Sequence, residues 1–557
     1  MLYAPLEIRR PKLKVGVMLD ALSVPAWAAG VLSEIANSDI AELTVAIVND
    51  TPVVPAASRL KRLLSGNAQI NNILYYRYVG LDNARHPQFA APFASQDVAN
   101  LFPARLAVLP ISKKFVDRFS EQDVAAIEKF DLDVILRFGF KIIRGDILSA
   151  ARFGVWSYHH DDNNEYRGGP AQFWEIFERN PVSGVVLQVL TDKLDGGNVI
   201  YRSYGATISN LWLSQNKMQA YDKAASFVQR CLRQLYQTGA VLAEAETGAY
   251  QKPIYRTPTN LQMLAFGLKS VSAGFKNRIR NQLQYGVWFI AYRRSAASES
   301  ALPSTGGFVH LKPPRGRFFA DPHVISREGE DYIFFEDYSF DAGKGVISFV
   351  KIDGQGRASA PQLALEQPQH LSYPFLFEWN GDAYMIPETC QANNVQLLRA
   401  KRFPDRWEAV ATLLEGYPAV DATLFEHDRR WFMFANISER GGSTWDELFL
   451  FVADTPLGPW RPHPLNPIKS DARSARPAGN LFRRGNKIIR PSQDCTNGYG
   501  SSIMFSEVEV LSDTDYRERV IGRLDPTWAK GIVGTHTYSS NAALEAVDAL
   551  QYQFRFR

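Results

Sequence analysis

Two polar segments in the N-terminal part of the chain contain residue types that serve in acid–base chemistry. Residues 154–174 read GVWSYHHDDNNEYRGGPAQFW, and TDKLDGG follows at residues 191–197. The first segment places His159 beside His160 in a chain of 557 residues that has nine histidines. Neighbouring residues of a strand point to opposite faces, so the two histidines are poor joint ligands for a metal. We therefore expect no metal site, and either a chemical role for one histidine or a polar surface segment without one.

The elements around these segments alternate between strands and helices. KLKVGVMLD (12–20), AELTVAIVND (41–50) and LDVILRFGF (132–140) are apolar strand patterns, and helical patterns lie between them. This alternation predicts an α/β domain over residues 1–208 with a doubly wound, mostly parallel sheet. Ligands of such sheets bind beyond the carboxyl ends of the strands, where both polar segments are expected to lie.

The motif SYHH…YRGGPAQFWEIFERNPVSGVVLQVLTDKLDGG (157–197) resembles the active-site region of the folate-dependent formyltransferases. The resemblance covers most of residues 12–205 and implies a Rossmann-like fold and N10-formyltetrahydrofolate as co-substrate. It also implies His159 and Asp195 as catalytic residues. A histidine donating to the oxyanion of a tetrahedral intermediate stabilises it, and a neighbouring carboxylate orients the ring.

Further site residues follow from the same resemblance. Residues implied to contact the folate are Phe138, Gly139, Phe140, Ile143, Val189, Thr191, Asp192 and Leu194. Residues implied on the acceptor side are His160, Tyr166 and Arg167. Ser157 stands where the family has Asn, and a lost oxyanion donor costs on the order of a hundredfold in rate. Either His160, Asn163 or Asn164 replaces that donor, or the domain is a diverged relative.

The C-terminal half has a different, repetitive pattern of short aromatic and β-branched strands. FFADPHVISREGEDYIFFED (318–337) is echoed by LSYPFLFEWNGDAYMIPET (371–389), AVDATLFEHDRRWFMFAN (419–436), ARPAGNLFRRGNKIIRPSQD (475–494) and GTHTYSSNAALEAVDAL (534–550). Equivalent positions of the repeats are 52, 48, 55 and 60 residues apart, counted between Asp321, Tyr373, Asp421, Arg476 and His536. A period near fifty with several strands in each unit predicts propeller blades, and five repeats predict a five-bladed β-propeller over residues 286–557.

This half resembles the five-bladed propellers of the arabinanase-like glycosidases and, more closely, the propeller region of glucosamine inositolphosphorylceramide transferase-type proteins. The glycosidase resemblance places Asp321 at the position of a catalytic base, with Asp421 and Glu388 as companions. The repeat also directs Tyr373, Arg476 and His536 towards the central channel. Such a mixed ring suits either binding of a charged or phosphorylated sugar or carboxylate-based glycan chemistry, and buried aspartates at blade starts also serve as structural caps.

Residues 209–285 are predicted to form a helical connector. The stretch 261–294 has no acidic residue and carries the basic residues Lys269, Lys276, Arg278, Arg280, Arg293 and Arg294. A basic amphipathic segment of this kind either contacts an anionic membrane surface or packs as a linker helix with its lysines in solvent.

Composition restricts the classes of function. Apolar residues make up 46% of the chain and charged residues 22%, as in ordinary globular proteins. The net charge of +4 argues against extensive nucleic-acid binding. Three widely spaced cysteines fit reduced thiols, and with no signal-peptide pattern at the start we expect a cytoplasmic protein.

Two functions remain at this point. In the first, the protein is an N-formyltransferase acting on a primary amine of a small-molecule or lipid-linked amino sugar, which the propeller helps to bind. In the second, the propeller is the working part and binds or processes a glycan, while the N-terminal domain is a diverged, inactive relative of the formyltransferases.

Overall fold

The structure is a computed structural model that describes residues 1–6, 8–52, 70–192, 196–209, 211–244, 250, 252–295, 302–303, 306–440 and 442–555, without the side chains of residues 271, 273 and 275–277. The chain forms two compact units. An α/β unit comprises Leu6–Ala273 with Arg440–Gly442, and a propeller unit comprises Met1–Pro5, Gly274–Glu439 and Ser443–Arg557. The segment predicted as a connector, residues 209–285, is divided between the two units.

The α/β unit is built on a seven-stranded sheet with the order β12-β11-β10-β8-β1-β3-β5. Its strands and those of two small accessory sheets are β1 Leu13–Leu19, β2 Ser23–Pro25, β3 Ala41–Asn49, β4 Ser95–Asp97, β5 Arg105–Val108, β6 Ile111–Lys113, β7 Val116–Arg118, β8 Val134–Arg137, β9 Ile142–Arg144, β10 Val155–His159, β11 Val182–Val189 and β12 Asn198–Ala206. Strands β10, β8, β1, β3 and β5 are parallel, and β11 and β12 run antiparallel to their neighbours.

Helices cover this sheet on both faces. In the described residues the α-helices are α1 Ala26–Ala36, α2 Ile73–Arg85, α3 Glu121–Glu128, α4 Phe173–Glu178, α5 Leu213–Ala224, α6 Phe227–Thr238 and α7 Asn260–Leu283. On β1, Val17 and Leu19 belong to the hydrophobic cluster that includes α1 and α6, while Met18 belongs to the cluster that includes α3. Both faces of the strand are therefore buried, which explains why its sequence is continuously apolar. Among the described residues, no helix has the length and apolarity required to cross a bilayer.

The propeller unit consists of five antiparallel sheets. Four of them follow in chain order: β15 Arg317–Arg327 to β18 Gln362–Leu365, β19 Ser372–Trp379 to β22 Arg406–Glu415, β23 Ala419–His427 to β27 Lys469–Ser470, and β28 Phe482–Arg484 to β31 Tyr516–Leu524. The strands inside these ranges are β16 Glu330–Ser339, β17 Lys344–Ile352, β20 Asp382–Glu388, β21 Asn394–Arg402, β24 Arg430–Ile437, β25 Glu447–Ala453, β26 Arg461–Pro462, β29 Lys487–Asp494 and β30 Ser502–Leu511.

The fifth sheet closes the ring because it joins the two ends of the unit. It contains β13 Gln284–Arg294, β14 Val309–Leu311, β32 Ile532–Gly534, β33 Tyr538–Ser540 and β34 Leu544–Phe554. Strand β13 pairs along its whole length with β34, from Gln284 opposite Phe554 to Arg294 opposite Leu544. The five-bladed propeller predicted from the repeat is confirmed.

The same backbone distortion recurs in three blades. The pairing register shifts at Ala320/His323 in β15, at Ser372/Phe375 in β19 and at Val420/Thr423 in β23. Inside each shift stands a non-glycine residue with positive φ: Asp321 (51°), Tyr373 (40°) and Asp421 (53°). Bulges re-aim side chains, and a left-handed conformation costs free energy in residues other than glycine. Three of the five blades thus present one strained residue at the same position.

Candidate functional site

Side chains from all five blades meet in one polar group, which we call the axial cluster: Asp321, Glu336, Tyr373, Glu388, Asp421, Arg476, His536 and Asp548. Asp321 and Glu336 come from the first blade, Tyr373 and Glu388 from the second and Asp421 from the third. Arg476 precedes β28, and the fifth blade supplies the other two members. Because five blades arranged in a ring all approach one another only around its axis, a cluster with members from every blade lies at the centre of the propeller.

His536 is held between two carboxylates. Its Nε2 lies 3.1 Å from Asp321 Oδ1 and its Nδ1 lies 2.8 Å from Asp548 Oδ2. Burial alone would lower the pKa of this imidazole, but Asp548 and Asp321 together raise it to about 10. The ring is therefore a buried cation at neutral pH. Potential metal-ligand atoms of Asp321, His536 and Asp548 lie within 4.8 Å of one another. Each ring nitrogen of His536 already faces a different carboxylate, so the three residues form an ion-paired triad.

Both carboxylate oxygens of Asp321 accept hydrogen bonds. The Tyr373 backbone N–H donates to its Oδ2 at 3.3 Å, and the Thr537 hydroxyl donates to its Oδ1 at 2.8 Å, beside the contact to His536. Burial raises the pKa of an aspartate, yet His536 and Thr537 hold the pKa of Asp321 below its usual value. Asp321 is therefore an ionised carboxylate that joins three blades.

The second half of the cluster is centred on Arg476. Its Nε donates to Asp421 Oδ2 at 2.6 Å and its Nη2 to Asp421 Oδ1 at 3.3 Å, the bidentate geometry typical of arginine and carboxylate. Gln493 Nε2 donates to the same Oδ2 at 3.1 Å. Glu388 Oε2 lies 3.7 Å from Arg476 Nη2, so the arginine serves both carboxyl groups but binds Asp421 more closely.

Glu388 differs from the other carboxyl groups of the cluster. Burial, and next the charge of Asp421, raise the pKa of Glu388 to about 8. Burial also raises the pKa of Asp421, against the opposing charge of Arg476. Since Asp421 has the closer cation, we assign the negative charge to Asp421 and the proton to Glu388. The Glu388 side chain keeps 15% of its surface exposed, against 3% for Asp421, so it is a protonated carboxyl group with part of its surface in contact with solvent.

Aromatic rings surround the two cations. Tyr499, which is 41% exposed, lies 4.9 Å below the Arg476 guanidinium and 4.9 Å from the His536 ring. Trp288 lies 4.3 Å from His536 on another side. An exposed ring beside buried polar groups is a surface on which the apolar face of a sugar can stack.

Sequence reasoning found six members of the axial cluster and missed two. Asp321, Tyr373, Glu388, Asp421, Arg476 and His536 were all expected at the channel, and the structure brings them together. Glu336 and Asp548 were missed. Each stands as an acidic residue inside an apolar strand, IFFED and EAVDAL, and that pattern was the available signal.

The α/β unit has a cavity at the ends of β8, β10 and β11, with a volume of about 140 Å³. Of the residues predicted there, Ile143, Ser157, His159, Thr191 and Asp192 line it. Asp195 and Leu194 lie outside the described residues. His159 uses its Nε2 on the Tyr166 carbonyl at 2.9 Å, and Ser157 accepts a hydrogen bond from Arg137 Nη1 at 3.1 Å.

The other residues predicted for this unit lie elsewhere. Phe138 packs against Trp27, Phe140 and Val189 belong to hydrophobic clusters, and Gly139 is tight against the backbone of Asp20. His160 stacks on Tyr221 with the ring centroids 3.6 Å apart. The Tyr166 hydroxyl donates to Glu178 at 3.1 Å, and Arg167 Nε donates to the Asn163 carbonyl at 2.8 Å. Most of these side chains therefore serve packing or local hydrogen bonds.

Comparisons with known proteins point to the propeller unit. A family model described as "Glucosamine inositolphosphorylceramide transferase 1, N-terminal" matches residues 305–531. The protein of that name from Arabidopsis thaliana is 36% identical over 205 residues, which are 36% of this chain and 27% of the relative. The one from Oryza sativa subsp. japonica is 32% identical over 222 residues, 39% of this chain and 29% of the relative. The matched part thus spans less than a third of these relatives.

Solved structures show only distant likenesses. An exo-β-1,3-galactanase from Clostridium thermocellum is 12% identical, with a TM-score of 0.31 over 36% of this chain and 49% of its own. A glycinamide ribonucleotide transformylase from Symbiobacterium toebii is 14% identical, with a TM-score of 0.29 over 43% of this chain and 95% of its own. Likenesses at this level carry no inference about activity.

The formyltransferase interpretation is wrong. The curated relatives are named as glucosamine inositolphosphorylceramide transferases, and the family model that matches falls within the propeller unit. N10-formyltetrahydrofolate is therefore withdrawn as a co-substrate together with the catalytic roles of His159, Ser157 and Asp195 in formyl transfer. The names of the relatives favour the second interpretation, in which the propeller binds or processes a glycan.

Proposed function

We propose that the propeller unit processes a glycan at the axial cluster and that Glu388 donates the proton that the reaction needs. The observation that carries this proposal is the state of Glu388: a carboxyl group whose pKa is raised to about 8, partly exposed, beside the ionised Asp421. Carboxyl pairs whose pKa values are separated by their surroundings provide the acid and the charge stabilisation of glycosidic bond chemistry.

The groups have complementary roles in such a reaction. Glu388 transfers its proton to the oxygen of the departing group as the bond from that oxygen to the anomeric carbon breaks. The sugar then carries positive charge in an oxocarbenium-like transition state, which Asp421 stabilises. A hydroxyl group of water or of an acceptor forms the new bond to that carbon and releases its proton to solvent, from which Glu388 is protonated again. Arg476 keeps Asp421 ionised and in place through its bidentate contact, and the exposed ring of Tyr499 supports the sugar.

The substrate class follows from the names of the relatives. They are transferases whose names contain glucosamine and inositolphosphorylceramide, so the proposed ligand is a glycan linked through a phosphoinositol group to a lipid. The match covers 27 to 29% of those proteins. Both the sugar and the acceptor are therefore proposed for this chain and are not shown by the match.

Helix α7 supports a peripheral membrane contact for such a lipid-linked ligand. Leu261, Leu264 and Leu268 recur at helical spacing and are 77%, 58% and 76% exposed. Lys269 follows Leu268 directly on the same helix. Exposed leucines next to a basic side chain are typical of helices that rest on an anionic bilayer surface.

A second candidate is glycan binding without turnover. It is favoured by Asp321, the residue that resembles a catalytic base, because that carboxylate already accepts from Tyr373, Thr537 and His536. A carboxylate engaged in this way holds blades together and is poorly placed to activate a water molecule.

The variant Glu388→Gln separates the two candidates. Calorimetry measures binding of a glucosamine–inositol phosphate glycan, and chromatography measures its conversion. If Glu388 is the proton donor, binding persists and conversion falls by about a hundredfold or more, the usual worth of a general acid. The matched control is Glu415→Gln, an exposed glutamate at the end of the same blade.

Wild-type protein that binds the glycan and shows no conversion supports the second candidate. Absence of binding by wild-type protein, or equal conversion by wild-type and Glu388→Gln proteins, would falsify glycan processing at the axial cluster.

A further inference from the structure

The propeller unit contains a cavity of about 500 Å³ outside the axial cluster. It lies where β13 begins and β34 ends, and residues 313–317, which lead into β15, form its other wall. Its volume falls in the range of pockets that hold small ligands. The lining residues that matter for recognition are Tyr285, Arg315, Arg317, Gln551, Tyr552 and Arg555.

The lining is basic. It contains three arginines, and no aspartate or glutamate occurs among the described residues that line the cavity. Arg317 is oriented by its Nε, which donates to Asp337 at 2.6 Å, and Arg555 is oriented by its Nε, which donates to the Asn281 carbonyl at 3.3 Å. Arg315 is exposed. A concave surface with several cations and one compensating carboxylate behind it carries a positive potential that attracts anions.

The lining also carries aromatic rings and amides. Arg555 lies over the Tyr285 ring at 5.7 Å, and Arg280 lies over the Tyr552 ring at 5.0 Å. The Tyr285 ring continues into an aromatic group, because Phe340 meets it edge-on at 5.7 Å and Phe340 is itself 41% exposed. The Gln551 amide adds donors and an acceptor for hydroxyl groups. Rings, an amide and arginines in one cavity match a ligand that has both a sugar-like ring and an anion.

We propose that this cavity binds the phosphate of a phosphorylated polyol or sugar, with Arg315, Arg317 and Arg555 on the phosphate and the tyrosines against the ring. The planar guanidinium fork matches phosphate oxygens in pairs, which favours phosphate over a single carboxylate. The site goes beyond the proposed function, since it does not require Glu388 to donate a proton and lies three to seven residues beyond Asp548 along β34.

The test compares full-length wild-type protein with the double variant Arg315→Gln/Arg555→Gln. Calorimetry with inositol 1-phosphate is expected to show binding to wild-type protein that weakens as sodium chloride is added, because salt screens exposed charge. The double variant is expected to lose at least tenfold in affinity. Both side chains are exposed, so the thermal unfolding temperature of the variant is expected to equal that of wild-type protein.

Three controls sharpen the result. Arg406→Gln removes an exposed arginine from the outer strand of another blade and is expected to bind normally. Myo-inositol without phosphate is expected to bind at least tenfold more weakly than inositol 1-phosphate. Glu388→Gln is expected to bind inositol 1-phosphate as wild-type protein does, so a failure of the axial chemistry is distinguishable from a failure of this site.

A second arm identifies the source of the phosphate. Vesicles of phosphatidylcholine with and without phosphatidylinositol are sedimented with each protein. Binding that depends on phosphatidylinositol and is lost in the double variant assigns the site to a lipid headgroup, and binding of inositol 1-phosphate alone assigns it to a soluble ligand. The proposal is overturned if wild-type protein binds neither probe, if the double variant keeps full affinity, or if Arg406→Gln loses as much as the double variant. It is also overturned if acetate competes as strongly as inorganic phosphate.

Discussion

Asp321 of the propeller unit and Asp161 of the α/β unit are both buried, with exposed fractions of 4% and 3%, yet their pKa values move in opposite directions. Burial and the neighbouring Glu175 raise the pKa of Asp161 well above its usual value. Burial acts on Asp321 as well, but His536 and Thr537 hold its pKa below the usual value. The partner of a buried carboxyl group, rather than burial alone, decides whether it is charged.

This difference separates two kinds of buried polar group. In the axial cluster the cations His536 and Arg476 face the carboxylates of Asp321, Asp548 and Asp421, so each of these five charges is compensated by an opposite one, while Glu388 keeps its proton. The α/β unit instead contains two carboxyl groups side by side, and burial raises the pKa of Glu175 to about 7. Like carboxyl groups in contact cannot both ionise cheaply, so this pair retains a proton. The ion-paired groups of the axial cluster are stabilised in their charged forms, whereas the pair of Asp161 and Glu175 is stabilised with a proton bound.

The largest effect on stability is expected for Arg476→Met. Removing the guanidinium leaves Asp421 buried without its cation, which costs about 3–5 kcal/mol in comparable sites. Urea denaturation measures the free energy of unfolding. Arg483→Met, which changes an exposed arginine on β28, is the control and is expected to change little. A loss of less than about 1 kcal/mol for Arg476→Met would show that the axial cluster does not depend on compensated charge.

Asp321→Asn is expected to cost about 3 kcal/mol at pH 7, because His536 keeps one carboxylate where it had two. Since the folded pKa of Asp321 is depressed, its stabilisation is present above the unfolded value near pH 4 and is lost as pH falls through the folded value. The difference between wild-type and variant proteins should therefore shrink in acid. Asp341→Asn, an exposed position, provides the baseline, and a difference that grows in acid would contradict the assignment.

Glu175→Gln is expected to act in the opposite direction. The folded pKa of about 7 lies above the unfolded value of about 4.3, so the stabilisation by the bound proton is complete below the unfolded value and is lost as pH rises through 7. The variant is expected to exceed wild-type stability by about 3 kcal/mol at pH 8 and to match it near pH 4, since one pKa unit corresponds to about 1.4 kcal/mol. Denaturation at the two pH values checks this, with Glu128→Gln, an exposed position on α3, as control. A variant less stable than wild-type protein at pH 8 would mean that the pair is ionised.

The smallest effect is expected for His159→Ala. Its Nε2 contact to the Tyr166 carbonyl is one hydrogen bond at a partly buried position, which is worth about 1 kcal/mol. A loss above about 3 kcal/mol would show that His159 belongs to a charged network like that of the axial cluster, and would remove the contrast between the two units.

The propeller could be predicted from sequence because each sequence repeat corresponds to one blade of the structure. Each blade needs an alternating strand pattern, and each inner strand carries one special residue at a fixed place, as in FFADP, LSYPF and AVDAT. The α/β strands were equally readable from their apolar runs, since both faces of the sheet are covered. The activity inferred for that unit was wrong because residues at strand ends are shared by many α/β sheets with unrelated functions.

The amino-acid sequence by itself determined the strands, the five blades and six of the residues that point to the centre of the propeller, because these depend on local periodicity. Only the tertiary structure decided which charges compensate one another. Asp321 accepts from the backbone of Tyr373, 52 positions away, and donates its own N–H to Asp548, 227 positions away, and neither distance is readable from a pattern. The pairing of β13 with β34 closes the ring, and this closure brings His536 between its two carboxylates. The charge state of each buried carboxyl group follows from those neighbours.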